Sequence, residues 1–238
     1  MTPKSKILLV DDHPLVREGV ANLVNHEPDL EVCGEAASEP AALALIGQVK
    51  PDVAVVDLSL ESGSGLELIK SIKAMYPAVA MLALSMHDES LYAERALRAG
   101  ARGYLMKREA ANKVIHGIRA VLAGQWFVSE KVAARMAEKF VDGRTAADAS
   151  PVQQLSDREL EVFQLLGRGQ TTRQIAEHLH VGFKTVQAYC TRIKEKLKLA
   201  NATELLRAAV QWNEQELQAH GLRDHKTAEQ GTEIRQQS

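Results

Sequence analysis

The sequence predicts an α/β domain followed by an all-helical domain. Three observations carry that prediction. Five short apolar runs alternate with helix-period segments over the first 124 residues. Those runs are continuously apolar rather than alternating, as expected of strands buried on both faces of a parallel sheet. Residues 155–213 then show helical periodicity throughout. The expected architecture is a doubly wound (βα)5 sheet with a helical domain behind it.

The elements read in order. Ile7-Leu8-Leu9-Val10 forms the first strand and stops at Asp11-Asp12. Leu15, Val16, Gly19, Val20, Leu23 and Val24 give the first helix. Residues 31–35 are the second strand, and Ser38 stands where an N-cap belongs, before Pro40 and a helix through Leu43 and Ile46. Val53 to Val56 is the third strand, followed by helix-period Leu66, Ile69 and Ile72. Val79 to Leu84 is the fourth, with a helix from Glu89 to Ala99 that Gly100 stops. Gly103 to Met106 is the fifth, and Glu109 to Ala123 the last helix, closed by Gly124. The expected organisation is a domain over 1–124, a linker with one helix (Ser129 to Phe140) over 125–150, a helical domain over 151–213, and a disordered polar tail over 214–238. Residues 142–154 are small and polar, which predicts flexibility.

Composition narrows the function classes. Of 238 residues, 45% are hydrophobic and 25% charged, ordinary for a soluble globular protein. The apolar run after Met1 is too short for an export signal or a membrane span, and two cysteines far apart, Cys33 and Cys190, argue against a disulfide framework or zinc site. The expectation is a cytoplasmic protein with no membrane contact. Charge is uneven. Residues 1–124 hold 13 Lys/Arg against 16 Asp/Glu, and residues 151–212 hold 9 against 6. Lys184 to Lys198 carries five basic residues and one acid, which points to nucleic acid.

Chemistry gathers at the strand ends, where doubly wound sheets bind ligands. Asp11 and Asp12 end the first strand, Asp57 the third, Ser85 the fourth and Lys107 the fifth. Three converging carboxylates repel one another, and a hard divalent cation such as Mg²⁺ would relieve that repulsion. Asp57 could then attack a phosphoryl group, with Lys107 neutralising developing charge and Ser85 donating its hydroxyl. A single strand-end Asp is more often only a cap or turn residue; the signal lies in the set and its order.

These stretches carry a resemblance. Ile-Leu-Leu-Val-Asp-Asp-His at 7–13, Val-Val-Asp-Leu at 55–58, Gly65, Ala83-Leu84-Ser85 and Gly100 to Lys107 resemble the receiver domains of response regulators, which have a flavodoxin-like fold. The resemblance implies Asp57 as phosphoacceptor, Asp11 and Asp12 as the metal-binding acids, and Ser59 as a backbone-carbonyl metal ligand. It also implies Ser85 and Lys107 as phosphoryl contacts, Tyr104 as a switch aromatic paired with Ser85, and a sensor histidine kinase as partner. Two positions depart from it: Glu61 and Arg108 stand where receivers commonly carry Pro.

In the second half, Ser156 with Glu159 reads as a capping box opening a helix that ends near Gly167. Thr171 or Thr172 caps a short helix, a turn follows at His180 to Phe183, and Lys184 to Leu197 is a longer helix with Val186, Tyr189, Ile193 and Leu197 inward. Thr203 is the expected cap of a last helix. This is a helix-turn-helix pattern, whose second helix enters the major groove of double-stranded DNA. Its outward residues Lys184, Thr185, Gln187, Ala188, Thr191, Arg192 and Lys194 suit base edges and phosphates. Leu155-Ser156, Arg158-Glu159, Glu161-Val162, Gly169, Ile175-Ala176, Lys184-Thr185-Val186, Ile193, Lys196-Leu197 and Ala202 to Leu205 resemble the LuxR-type helix-turn-helix. Phe183, where that group usually has a small polar cap, and Tyr189, where it often has His, depart from it. With its receiver, the chain resembles the NarL/FixJ response regulators, which implies a phosphorylation-controlled transcription factor, active as a homodimer.

Two other readings stay open on sequence. One is an aspartate-nucleophile hydrolase, although Ser59 stands where such enzymes place a general acid. The other is a phosphorylation-independent regulator with a degenerate receiver, which Glu61 keeps in play.

Overall fold

The computed structural model describes residues 3–60, 63–86, 89–141 and 151–215. Glu61, residues 142–150 of the flexible linker expected over 142–154, and residues 216–238 of the tail expected over 214–238 lie outside them. The described remainders depart from those expectations, since 151–154 form a 3-10 turn and 214–215 continue a helix. The chain divides into two compact units, Met1–Asp148 and Ala149–Ser238.

The first unit is a five-stranded parallel sheet in the order β2-β1-β3-β4-β5. The strands are β1 (Ser5–Val10), β2 (Leu30–Ala36), β3 (Val53–Asp57), β4 (Ala80–Ser85) and β5 (Gly103–Met106). Their apolar runs are buried on both faces: Ile7, Leu8, Val53, Ala54, Val56, Leu82 and Ala83 are fully enclosed. Helices α1 (Pro14–Asn25), α2 (Glu39–Val49), α3 (Gly65–Met75), α4 (Glu89–Ala99) and α5 (Ala110–Leu122) join and cover the strands. The expected Ser38 cap is present, its hydroxyl accepting from the Ala41 N–H at 3.4 Å. Gly100 ends α4 at φ +128°, a conformation that side chains with a Cβ resist. The last helix starts later than its pattern predicts, because Lys107–Glu109 tightens into a 3-10 turn before α5. After α5 the chain returns along β5 and enters α6 (Glu130–Val141).

The second unit opens with a 3-10 turn at Pro151–Gln154, then α7 (Asp157–Gly167), α8 (Thr172–His178), α9 (Phe183–Leu197) and α10 over residues 202–215. Leu160, Val162, Phe163, Ile175, Val186, Ile193, Leu205 and Ala209 form its buried interior. The Phe163 and Trp212 rings meet at 5.9 Å, tying α7 to α10. Thr171 caps α8, in a second capping box with Gln174.

Three sequence expectations need correction here. The last helix is capped by Asn201, not Thr203: the Asn201 Oδ1 accepts the Glu204 N–H at 2.9 Å, and Thr203 lies inside the helix. Both residue types cap well, so sequence alone could not choose between positions two apart. Helix α9 begins at Phe183 rather than Lys184. Its cap is therefore Gly182, which has no side chain to offer, and Phe183 is the first helical residue rather than a substitute cap. Finally, Tyr189 and Leu197 are only half-buried, while Val186 and Ile193 carry the contact of α9 with its neighbours.

Candidate functional site

The chain leaves β1 toward β2 on one side and reaches β3 on the other, so a crevice opens beyond the ends of β1 and β3. The acids lie there. Asp11 is 4% exposed, Asp57 is fully buried, and Asp12 is half-buried beside them. Gly65 lets the start of α3 approach: a Cβ there would stand 2.1 Å from the Asp57 carbonyl oxygen and 2.5 Å from the Leu58 Cα. The start of α3 thus sits directly on the Asp57–Leu58 peptide.

Lys107, at the end of β5, reaches across to both inner carboxylates. Its Nζ lies 2.8 Å from Asp57 Oδ2 and 2.7 Å from Asp11 Oδ2. Asp57 Oδ1 accepts the Ser59 N–H at 3.1 Å. Asp11 Oδ1 accepts the His13 N–H at 2.9 Å, and the Asp11 carbonyl accepts from Arg17 Nη1 at 2.6 Å. Burial pushes the Asp57 carboxyl above the usual carboxylate range, with Lys107 offsetting part of that rise. For Lys107 burial acts downward, but the Asp57 and Asp11 carboxylates override it and hold the ammonium above its ordinary value. Ser85 ends β4 fully buried, and Tyr104 on β5 is turned inward at 3% exposure.

The donor set fits a hard cation. Carboxylate oxygens of Asp11, Asp12 and Asp57 and a ring nitrogen of His13 all lie within 4.8 Å of one another. Asp11 Oδ2 is buried and, beyond its ion pair with Lys107, accepts no hydrogen bond, which leaves lone pairs for a metal. Sequence reading passed over His13 as a member of this group. Its Nδ1 sits 2.8 Å from Asp12 Oδ1. The signal was present, as the residue directly after the acid pair, but a ring on the exposed side of a strand end reads as solvated.

In the second unit, Lys184, Thr185, Gln187, Ala188, Thr191 and Arg192 are exposed along α9, and Lys194 is half-buried. Thr191 Oγ1 donates to the Gln187 carbonyl at 3.1 Å, and the Arg192 guanidinium lies 5.9 Å from the Tyr189 ring. The capping box at Ser156 and Glu159 is complete. Sequence missed its second role. Glu159 Oε2 also takes Lys196 Nζ at 2.5 Å, tying α7 to the C-terminal half of α9.

Residues 7–119 match the family described as the response regulator receiver domain, and residues 153–209 match that of bacterial regulatory proteins of the luxR family. The chain is 36% identical over 209 residues to the oxygen regulatory protein NreC of Staphylococcus haemolyticus, covering 86% of this chain and 96% of that protein. It therefore belongs to the two-component response regulators that join a receiver to a LuxR-type DNA-binding domain. Among solved structures it resembles a LuxR-family response regulator from Aurantimonas, at 37% identity and a TM-score of 0.54 over 58% of this chain and 99% of that one. It also resembles RcsB of Salmonella enterica serovar Typhimurium, solved on a promoter in the presence of the phosphomimetic BeF3⁻, at 25% identity and a TM-score of 0.64 over 87% and 98%. Among the described residues, no helix is long and apolar enough to cross a membrane.

Proposed function

We propose that Asp57 accepts a phosphoryl group from a sensor histidine kinase and that this controls sequence-specific binding of double-stranded DNA by α9. The observation that carries the reading is the reach of Lys107 to both Asp57 and Asp11 at the crevice between β1 and β3. A carboxylate nucleophile with an ammonium beside it, opposite two further acids, suits in-line attack on a phosphoryl group. The Asp57 oxygen bonds to phosphorus as the donor's bond to phosphorus breaks. Lys107 then holds the transferred oxygens, and the Ser85 hydroxyl donates to one of them. Asp11, Asp12, Asp57 and the Ser59 carbonyl would hold Mg²⁺, which supplies charge neutralisation when bound. Beyond assisting its own phosphorylation and dephosphorylation, the chain is not an enzyme. The hydrolase alternative loses its support here, since the second unit is built as a DNA-binding domain.

The domain reading that accompanies this is a receiver over 1–124, a linker over 125–150, a DNA-binding domain over 151–213 and a tail to 238. The protein works in the cytoplasm, and a homodimer binds two half-sites, as single helix-turn-helix units commonly do. Acetyl phosphate with Mg²⁺ should add one acid-labile phosphoryl group to the wild type and none to Asp57→Asn, read by intact mass, and should tighten DNA binding of the wild type alone. Equal labelling of both proteins would overturn the assignment.

Within α9, Gln187 faces outward one turn into the helix, and its amide matches adenine at two positions. Lys184, Arg192 and Lys194 have the reach for phosphates, and Thr185, Ala188 and Thr191 line the same approach. Gln187→Ala should cost about 1–3 kcal/mol on the cognate site and relax preference at one base position. Lys194→Ala should weaken cognate and random DNA alike and lower the salt slope by about one. Titrations on both DNAs at several salt concentrations check the two roles; a change of preference in Lys194→Ala alone would reverse them.

A further inference from the structure

The segment after α5 does not leave the first unit directly. Residues 125–128 run back along the open edge of β5, with Phe127 bridging to Gly103 in parallel sense. The Phe127 N–H donates to the Arg102 carbonyl at 3.0 Å, and the Tyr104 N–H donates to the Phe127 carbonyl at 2.8 Å. The Phe127 ring meets the His116 ring edge-on at 5.5 Å, and a Cβ on Gly117 would come within 3.0 Å of it, so α5 is shaped to seat that ring. The chain then turns into α6, which lies against α4. Val132 is 6% exposed there, and Arg135 Nη1 donates to the Ser90 carbonyl in the first turn of α4 at 2.9 Å. The attachment of α6 is light: Val132 is its one buried side chain among the described residues, and Glu89, Glu94, Lys131 and Met136 line a crevice beside it. A helix of 12 residues is marginal by itself in water, so its order depends on this docking.

We propose that residues 125–138 form a strap that reports the phosphorylation state of Asp57, docking more firmly on β5 and α4 when Asp57 carries a phosphoryl group. The inference rests on the reading of Asp57 as phosphoacceptor. Two routes join the strap to the site. Strand β5 carries the strap on Tyr104 and ends at Met106, directly before Lys107, whose ammonium grips Asp57. Strand β4 ends at Ser85 and leads to α4, whose Ser90 carbonyl holds Arg135. A phosphoryl group adds about −1.5 to −2 charge where Lys107 now meets single carboxylates. It holds Lys107 more tightly, fixes the end of β5 in the arrangement that pairs with Phe127, and so favours the docked strap. Coupling of this kind is reciprocal: loosening the strap must weaken the phosphorylated arrangement by the same factor.

Hydrogen exchange of the full chain, read by mass spectrometry with and without BeF3⁻ and Mg²⁺, tests this. With BeF3⁻, residues 125–138 should exchange about five-fold more slowly or better. Arg135→Ala, a substitution on a half-buried surface position that spares the sheet, should lose that slowing while keeping the change around Ser85. Arg135→Ala and Phe127→Ala should each need more BeF3⁻ for half-saturation, by the factor lost in strap protection. Slowing around Ser85 and Tyr104 with residues 125–138 unchanged or faster would overturn the strap proposal alone. No change anywhere in residues 3–122 would overturn the phosphorylation reading, and the strap with it.

Discussion

Lys107→Met is expected to destabilise the first unit by about 3–5 kcal/mol at neutral pH without divalent metal, the usual cost of removing one partner of a buried ion pair. The ammonium is 4% exposed and stands between Asp57 Oδ2 and Asp11 Oδ2. Without it, two enclosed carboxylates face each other with no countercharge. The pH dependence follows from the direction of the Asp57 shift. Burial raises its folded pKa above the unfolded value of about 3.9, so the folded chain keeps the proton to higher pH. The stability this contributes is present below the unfolded pKa and is lost as pH rises through the folded one. Lys107 partly offsets that loss, so removing Lys107 makes it larger. The gap between wild type and Lys107→Met should therefore narrow as the pH falls toward 4. Asp57→Asn should shift stability the opposite way at neutral pH, since it removes the buried charge. Added Mg²⁺ should recover part of the loss in Lys107→Met and change the stability of Asp57→Asn little. Scanning calorimetry in chelator, then in Mg²⁺, at two pH values measures all three. A Lys107→Met protein within about 1 kcal/mol of wild type in chelator would show that the ammonium does not balance the pocket.

The strand-end site was legible because the sheet is parallel and buried. Enclosed strands read as unbroken apolar runs, so the first polar residue after each run marks its carboxyl end. Asp11, Asp57, Ser85 and Lys107 all sit at those marks. Caps were legible where a neighbouring signal singled one residue out, as Pro40 did for Ser38 and Glu159 for Ser156, and were misplaced where two good cap types stood close, as at Asn201 and Thr203. What sequence could not give were contacts between residues far apart in the chain. The return of Phe127 to Gly103 is a single bridge with no periodicity to announce it. The grip of Arg135 on Ser90 spans 45 residues, and that of Lys196 on Glu159 spans 37. In each case the charged residue looks like part of a solvated helix face until the fold brings its partner to it.

The last of those contacts carries the second large effect. Glu159→Ala should destabilise the DNA-binding unit by about 2–3 kcal/mol. Loss of a capping partner accounts for about 1 kcal/mol. Loss of a charge-assisted hydrogen bond accounts for about 1–2 more, discounted because the Lys196 side chain is 37% exposed and partly screened. Glu159 itself is nearly enclosed, and its Oε2 accepts both the Ser156 N–H at 2.8 Å and Lys196 Nζ. Burial acts to raise its pKa, but the hydrogen bonds from Lys196 and Ser156 override it and hold the carboxyl below the usual range. A depressed pKa contributes stability that is present above the unfolded value, about 4.3, and is lost as pH falls through the folded one. The cost of Glu159→Ala should thus be full at pH 7 and shrink below pH 4. Glu159→Gln keeps an acceptor for the Ser156 N–H and should cost less than the alanine. Lys196→Met retains the capping box and should lose only the cross-helix part, and the cycle of Glu159→Gln with Lys196→Met isolates the pair. Urea unfolding followed by Trp212 fluorescence in a Trp126→Phe background reads this unit specifically, because the Trp212 ring packs on Phe163 of α7. A Glu159→Ala midpoint equal to wild type, or a loss that is the same at pH 7 and pH 3.5, would mean that α7 and α9 are held together by their apolar faces alone. The expected result instead makes the ionised Glu159 a clamp: it closes the start of α7 and pins the C-terminal half of the helix proposed to read DNA.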